Sequence, residues 1–335
     1  MANITETIKT VFPATKVAII GDIVADQYLN GTISRVSREA PVFILRHDQT
    51  TTLPGAAANA ASNVASLGAR ACIVGVIGDD ANGKLLLERM TDIGVDVSRV
   101  VADDAASTTT KVRILAGQQH AARQQVIRVD YEYGAPYAAS TRQKVIENAA
   151  AAVRSADAVI FSDYNYGAAD TEIFEAVRKA AAERGTPILV DSRFRLQEFR
   201  GASSATPNQD EVEQILGPGF GDAACDRLRD ELGLDSLLVT NGNKGMTLIE
   251  RGHQPRHIDA VGSDQAVDVT GAGDTVIAAY ALGLASGLSY FDAAKLANHA
   301  GGIVVMKKGT AAVAPEELIA SINSIAANDN LSSNA

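Results

Sequence analysis

Asp268-Val269-Thr270-Gly271-Ala272-Gly273-Asp274-Thr275, followed at once by the apolar run Val276 to Leu288, is the stretch on which the reading of this 335-residue chain turns. A glycine-rich turn leading into a helix presents free backbone N–H groups and the positive end of the helix dipole, which together make an anion site. A carboxylate inside such a site needs a task of its own. As a general base, Asp274 would take a proton from a hydroxyl while the amides of Gly271, Ala272 and Gly273 hold charge developing on a transferring phosphoryl group. The plainer alternative is a tight turn at Gly271 and Gly273 with Asp274 capping the helix. The apolar run carries Gly283, Ser286 and Gly287 and falls short of the roughly 20 residues that cross a bilayer, so it predicts a buried helix.

Outward from that turn, short apolar runs alternate with alanine-rich stretches. Lys16 to Ile20, Ala71 to Ile77, Ala158 to Phe161, Ile188 to Val190 and Leu237 to Thr240 have the pattern of strands buried on both faces. Ala57 to Leu67, Lys84 to Ile93 and Thr171 to Arg184 read as helices, stopped by Gly68, Gly94 and Gly185. This alternation predicts the α/β class, with a mostly parallel sheet and helices on both faces. Gly31 to Arg46 and Thr108 to Asp130 break the rhythm with polar and apolar residues in turn, as in strands with one solvated face. They predict a small antiparallel β lid made from two excursions, at about 27–53 and 106–132. The length would allow two domains, but no linker marks a cut. One domain over 14–325 is expected, with a disordered polar tail at 326–335.

Composition excludes several classes. With 46% hydrophobic and 21% charged residues the chain is an ordinary globular protein. Its 40 acidic and 30 basic residues give a net charge of −10, which supplies no broad footprint for nucleic acid. Residues 1–13 lack the basic and apolar regions of a secretory signal. Cys72 and Cys225 lie far apart with no partner at metal spacing, so reduced thiols in a cytoplasmic protein are expected. His47, His120, His253, His257 and His299 show no metal spacing, since Pro255 interrupts the one close pair. Gly78 to Leu85 reads G-x-x-x-x-G-K but ends on Leu85, which has no hydroxyl for magnesium, and Asp79 and Asp80 would oppose phosphate. Neither Gly21 nor the Gly271 turn completes a dinucleotide fingerprint, and no G-x-S-x-G elbow is present.

Other segments offer a ligand site. Asp22 and Asp26 lie just past the first strand, at the end of an open α/β sheet where ligands bind, and carboxylates there suit sugar hydroxyls. A turn with a helix cap is the alternative. Gly55-Ala56-Ala57-Ala58-Asn59 adds a close backbone approach and an amide. Asn208 and Glu211 stand three apart, either as a capping box or as groups ordering magnesium-bound water beside a triphosphate. Thr240, Gly242 and Gly245 form either a hairpin turn or the floor of a nucleotide pocket.

Taken together, the Gly271 to Asp274 turn preceded by Asp268, the Gly55 to Asn59 segment, Asn208 with Glu211, and Thr240 with Gly242 and Gly245 resemble the ribokinase-like (PfkB) family of sugar kinases over about residues 14 to 322. The resemblance implies a three-layer α/β/α sandwich with a β lid, ATP and Mg2+, and Asp274 as catalytic base. It also implies an anion hole at Gly271, Ala272 and Gly273, and nucleotide contacts at Asn208, Glu211, Thr240, Gly242, Gly245 and Asn298. Metal would be ordered through water by Glu211 and Asn208. Whether a monovalent cation such as K+ sits near Asp264 to Asp268 is left open.

Within the family, Ser34 to Val42, Lys111 with Arg113, Ile127 to Asp130, Ser162-Asp163-Tyr164 and Thr206-Pro207-Asn208 look most like the D-glycero-D-manno-heptose 7-phosphate kinases of lipopolysaccharide-core precursor synthesis. That likeness implies phosphorylation of the anomeric hydroxyl to a 1,7-bisphosphate. The sugar would meet Asp22, Asp26, Gly55 and Asn59, with Arg35, Lys111, Arg128 and Arg193 as cations for its phosphate. A homodimer through the lid is expected, since it would cover open strand edges. Several positions depart from the pattern. Ala56 replaces the second glycine of the substrate segment, Tyr166 stands where a lysine is common, and Asp191-Ser192-Arg193 replaces D-P-K. An extra stretch at Gly117 to Gln124 lengthens the lid hairpin. No H-x-G-H motif occurs, so no nucleotidyltransferase domain is expected. The rivals are a kinase for another sugar or a nucleoside, a non-catalytic sugar-phosphate sensor, and an NAD oxidoreductase.

Overall fold

The computed structural model describes residues 2–118, 123–263 and 265–332. Helix α1 (Ala2–Thr10) leads into β1 (Lys16–Gly21), then β2 (Ile23–Val36), β3 (Phe43–Ala56), α2 (Ala57–Ser66), β4 (Arg70–Val74), β5 (Val76–Gly78) and α3 (Ala81–Asp92). Next come β6 (Val101–Asp103), β7 (Thr110–Gly117), β8 (Gln124–Tyr131), α4 (Ala139–Val153), β9 (Ala158–Asp163), α5 (Thr171–Ala182), β10 (Ile188–Ser192) and β11 (Ser204–Ala205). The chain ends with α6 (Gln209–Leu216), α7 (Asp222–Leu232), β12 (Ser236–Thr240), β13 (Met246–Glu250), β14 (Arg256–Ile258), α8 (Ala272–Ala285), α9 (Tyr290–Val304) and α10 (Pro315–Ser332).

Eight strands form the main sheet in the order β14-β13-β12-β11-β10-β9-β1-β4. It is parallel from β12 to β4, with β13 and β14 antiparallel at one edge. Alternate residues of each apolar run go to opposite faces. Val17, Ile19, Ala158 and Ile160 join one core with α1, α2, α8, α9 and α10, while Ala18, Ile20, Val159 and Phe161 join the other with α4, α5 and α7. That division explains runs without polar interruption and gives the three layers.

Two expected elements differ in detail. The run Ala71 to Ile77 breaks at Gly75, where a Cβ would lie 2.5 Å from the Gly21 carbonyl oxygen. Beyond that bend β5 leaves the main sheet and pairs with β6. Helix α3 starts before Lys84 because Asp80 caps it, accepting the Gly83 N–H at 2.8 Å. Asp80 also accepts the Thr108 N–H at 2.7 Å, so the P-loop-like stretch is a strand-to-helix turn filled by a carboxylate.

The lid is a second sheet, ordered β3-β2-β7-β8. Each hairpin, β2 with β3 and β7 with β8, is antiparallel as expected, but β2 and β7 join in parallel from Ala25↔Thr110 to Thr32↔Gly117. Both strands run outward from the sandwich, which forces this pairing. Residues 119–122 of the extra stretch at Gly117 to Gln124, His120 included, and Asp264 lie outside the described residues. The expected disordered tail is corrected as far as Ser332, because α10 continues through it. Among the described residues no helix is long and apolar enough to cross a membrane.

Candidate active site

Gly271 caps α8 with a left-handed φ of 77°, and a Cβ there would lie 2.4 Å from Asn59 Nδ2, so only glycine fits. The close approach lets the Asn59 amide donate to the Gly271 carbonyl at 3.3 Å and to Asp274 Oδ2 at 2.8 Å. Asn63 orients that amide, donating to Asn59 Oδ1 at 3.2 Å, and is itself bonded by the Thr275 hydroxyl at 3.1 Å. The Tyr164 hydroxyl donates to Asp274 Oδ1 at 2.9 Å. Asp274 is buried at 3% exposure. Burial raises its pKa to about 6, against the two hydrogen bonds that favour the charged form. A carboxylate so poised is ionised at neutral pH and still basic enough to take a proton.

A cavity of about 840 Å³ opens on this carboxylate between lid and sandwich. The lid contributes Asp26, Lys111, Arg113 and Arg128, and the sandwich Tyr164, Arg193, Gly271 and Asp274. Arg113 pairs with the buried Asp26, whose pKa is raised by burial against that guanidinium's pull. Gly55 makes room for Asp26, since a Cβ there would lie 2.5 Å from Asp26 Oδ2. Lys111 is 3.4 Å from Asp130, and Arg128 grips the same carboxylate at 2.9 and 3.0 Å. Tyr166, which stands where a lysine is common in the resembled family, receives a hydrogen bond from Lys111 at 2.6 Å and donates to Glu132 at 2.9 Å. Arg193 stands 5.1 Å over the Tyr164 ring.

Four of the expected sugar contacts, Asp22, Arg35, Gly55 and Asn59, are not among the cleft-lining residues. Asp22 does not line the cleft. Its two oxygens accept the N–H groups of Tyr164, Tyr166 and Ala168 at 2.8, 3.0 and 2.9 Å, and burial lifts its pKa to about 6. Asn59 likewise spends its amide on Asp274 and Gly271 rather than facing the cavity. Arg35 is exposed toward the outer end of β2 and is not among the cleft-lining residues.

A smaller cavity of about 210 Å³ lies across the Gly271 turn. Thr240, Gly242, Gly245 and Asn298 all line it, together with Ala272 and Gly273 of the turn. Gly245, at φ 87°, permits the Ile258 carbonyl to approach a position 2.0 Å from where a Cβ would be. Gly301 and Gly302 also line it and were missed by the sequence reading. Their signal was a glycine pair inside a helix, a costly choice unless backbone must come close. Gly302 indeed faces Val261 O at 2.1 Å from its would-be Cβ. Asn208 and Glu211 do form the capping box, each backbone N–H bonding the other side chain at 2.9 Å. One Glu211 oxygen is thereby committed. Burial and the neighbouring Glu211 and Asp274 charges raise the pKa of Asp191 strongly. Among the described residues no group of three His, Cys, Asp or Glu could hold a metal. The Asp268 oxygens accept the Thr270 and Gly309 N–H groups at 3.0 and 2.8 Å.

Solved structures share this architecture. Ribokinase from Arabidopsis thaliana, complexed with ribose and ATP, superposes with a TM-score of 0.70 at 22% identity, covering 92% of this chain and 98% of that one. Phosphofructokinase-2 from Escherichia coli, in complex with potassium, gives 0.74 at 17% identity, covering 91% and 96%. Among curated proteins, the bifunctional protein HldE of Chromohalobacter salexigens is 40% identical over 321 residues, and that of Azorhizobium caulinodans 37% over 317. These alignments cover 94% and 93% of this chain but 65% of each relative, so the chain spans just under two thirds of their length. The pfkB family carbohydrate kinase profile matches residues 14–317, and the chain belongs to that family.

Proposed function

We propose that the chain transfers the ATP γ-phosphoryl group to the anomeric hydroxyl of D-glycero-D-manno-heptose 7-phosphate, forming the 1,7-bisphosphate. The observation that carries this is the position of Asp274, held by two donors on the large cavity, directly after the Ala272 and Gly273 that line the smaller one. The sugar hydroxyl lies in the lid cleft and gives its proton to Asp274. The α8 amide end steadies the transferring group, and positioning and charge stabilisation supply nearly all the catalysis. ATP occupies the cavity lined by Thr240, Gly245 and Asn298. Mg2+ lowers the charge repulsion around the phosphates when bound. The triphosphate would be its main holder, and the Glu211 oxygen outside the capping box would order its water.

Arg193 supports an anionic acceptor, because no ion pair is formed by this cleft cation among the described residues. One observation favours a different acceptor within the same chemistry. Lys111 and Arg128 share the single carboxylate of Asp130, so only one net positive charge remains between them, and Tyr166 brings hydroxyl rather than charge. A coupled ADP-release assay with heptose 7-phosphate, free heptose, ribose, fructose, fructose 6-phosphate and adenosine separates the two. Preference for heptose 7-phosphate by kcat/KM supports the reading, and preference for an unphosphorylated acceptor overturns it.

The lid also suits pairing with a second copy of the chain. Phe43 and Ile44 on β3 and Val126, Ile127 and Tyr131 on β8 are exposed on edge strands. Phe43→Glu with Ile127→Glu would convert a dimer to a monomer in light scattering.

A further inference from the structure

We propose that Tyr164 is a positioning residue of the reaction, holding the Asp274 carboxylate in the orientation and the ionised form that proton abstraction requires. This rests on Asp274 being the base. The segment that carries Tyr164 leaves the end of β9 and is pinned from two sides. The Asp22 carboxylate gathers the N–H groups of Tyr164, Tyr166 and Ala168, while Asp163, just before it, accepts the Ser192 hydroxyl at 2.7 Å and pairs with Arg195. A phenol delivered from a backbone anchored this way has little freedom of its own.

That phenol and the Asn59 amide take one Asp274 oxygen each. An ionised carboxylate oxygen has two acceptor positions, so each keeps a lone pair for the cleft while rotation about the Cβ–Cγ bond is blocked. With Asn59 alone the carboxylate would pivot on one contact. Hydrogen bonds to the ionised form also oppose the burial that drives the group toward neutrality. Arg193 over the ring places a cation on the phenol's π face, which makes the hydroxyl a stronger donor. The role also accounts for Asp22, a buried carboxylate just after β1 that holds the backbone of the loop presenting the phenol.

Tyr164→Phe in the full chain, assayed with ATP and the best acceptor from the sugar screen, should lower kcat roughly tenfold while both KM values stay within about twofold. The acid limb of kcat/KM, expected near pH 6 in the parent, should move up by roughly 0.5 to 1 pH unit. An unchanged kcat with an unmoved acid limb overturns the proposal. So does a loss of kcat without movement of the limb, which is what a purely structural role would give. Should the phenylalanine variant fail to fold, 3-fluorotyrosine at the same position strengthens the donor with almost no change of shape. The acid limb should then move down, and no movement overturns the proposal. Asp274→Asn separates the underlying reading: near-normal turnover there removes the base assignment itself, whereas full activity in the Tyr164 variant alone removes only the role of the phenol.

Discussion

The two walls of the large cleft are built on different physics. On the sandwich wall the reactive carboxylate is held by neutral donors, Asn59 and Tyr164, on elements packed into the two cores. On the lid wall charges face charges: Arg113 with Asp26, and Lys111 and Arg128 with Asp130. Neutral donors fix geometry without cancelling the negative charge that a base must keep. Ion pairs cancel charge and can be reopened by a ligand that brings its own. On the proposed reading the sandwich wall carries the base and Arg193, a cation with no ion pair among the described residues, while the paired charges of the lid wall tune acceptor preference.

The largest expected effect tests the sandwich wall. Asp274→Asn keeps the shape and both neighbours but removes the base, and turnover should fall ~10²–10⁴-fold. ATP binding, followed by calorimetry, should be unchanged.

The lid wall should break differently, through stability. Arg113→Ala leaves the 5%-exposed Asp26 without its partner, at a cost of about 3 kcal/mol in urea unfolding. Arg128→Ala removes a half-exposed partner of Asp130 and should cost less than about 1 kcal/mol. Equal losses for the two variants would mean that the lid is uniformly solvated and that the buried pair has no special weight.

Acid sharpens the contrast further. Asp22 and Asp274 both have pKa values raised to about 6 in the folded protein, above an ordinary value of 3.8. Between these limits the folded state binds more protons than the unfolded one, so their ionisation costs stability that is regained as pH falls. From pH 7 to pH 5 the two groups should together add about 2 to 3 kcal/mol of stability. Activity should fall over the same interval, because Asp274 loses its charge. Urea midpoints and kcat/KM measured side by side should run in opposite directions.

How much of this was readable in the sequence follows the same division. The sandwich strands were legible because burial on both faces leaves runs such as Val17 to Ile20 and Ala158 to Phe161 apolar throughout. The lid strands were legible by alternation, and the Gly271 turn by glycines before an apolar helix. What stayed hidden depended on contacts between segments distant in the chain. No local pattern says that Asp22 will be consumed by backbone N–H groups at 164, 166 and 168. Nor does one say that β2 and β7 will meet in parallel. Asn59 was expected to meet the sugar, whereas in the structure its amide is bonded to Asp274, 215 residues away.

The seam between the walls offers the finest test. Ala56 ends β3, and α2 begins directly after it, so this residue joins lid to sandwich and lines the cleft. Its φ of 54° and ψ of −129° belong to a region that glycine enters freely and a Cβ strains against. Ala56→Gly should relieve that strain by more than the added flexibility of the unfolded chain costs, a net gain of about 1 kcal/mol in urea unfolding. Removing the methyl also widens the cleft beside the acceptor. If the lid wall sets preference, kcat/KM ratios between acceptors should change while kcat for the best one stays within about twofold, because the Asn59 and Tyr164 contacts to Asp274 are untouched. A change in kcat common to all acceptors would instead place the residue's influence on the sandwich wall, through the start of the helix that carries Asn59.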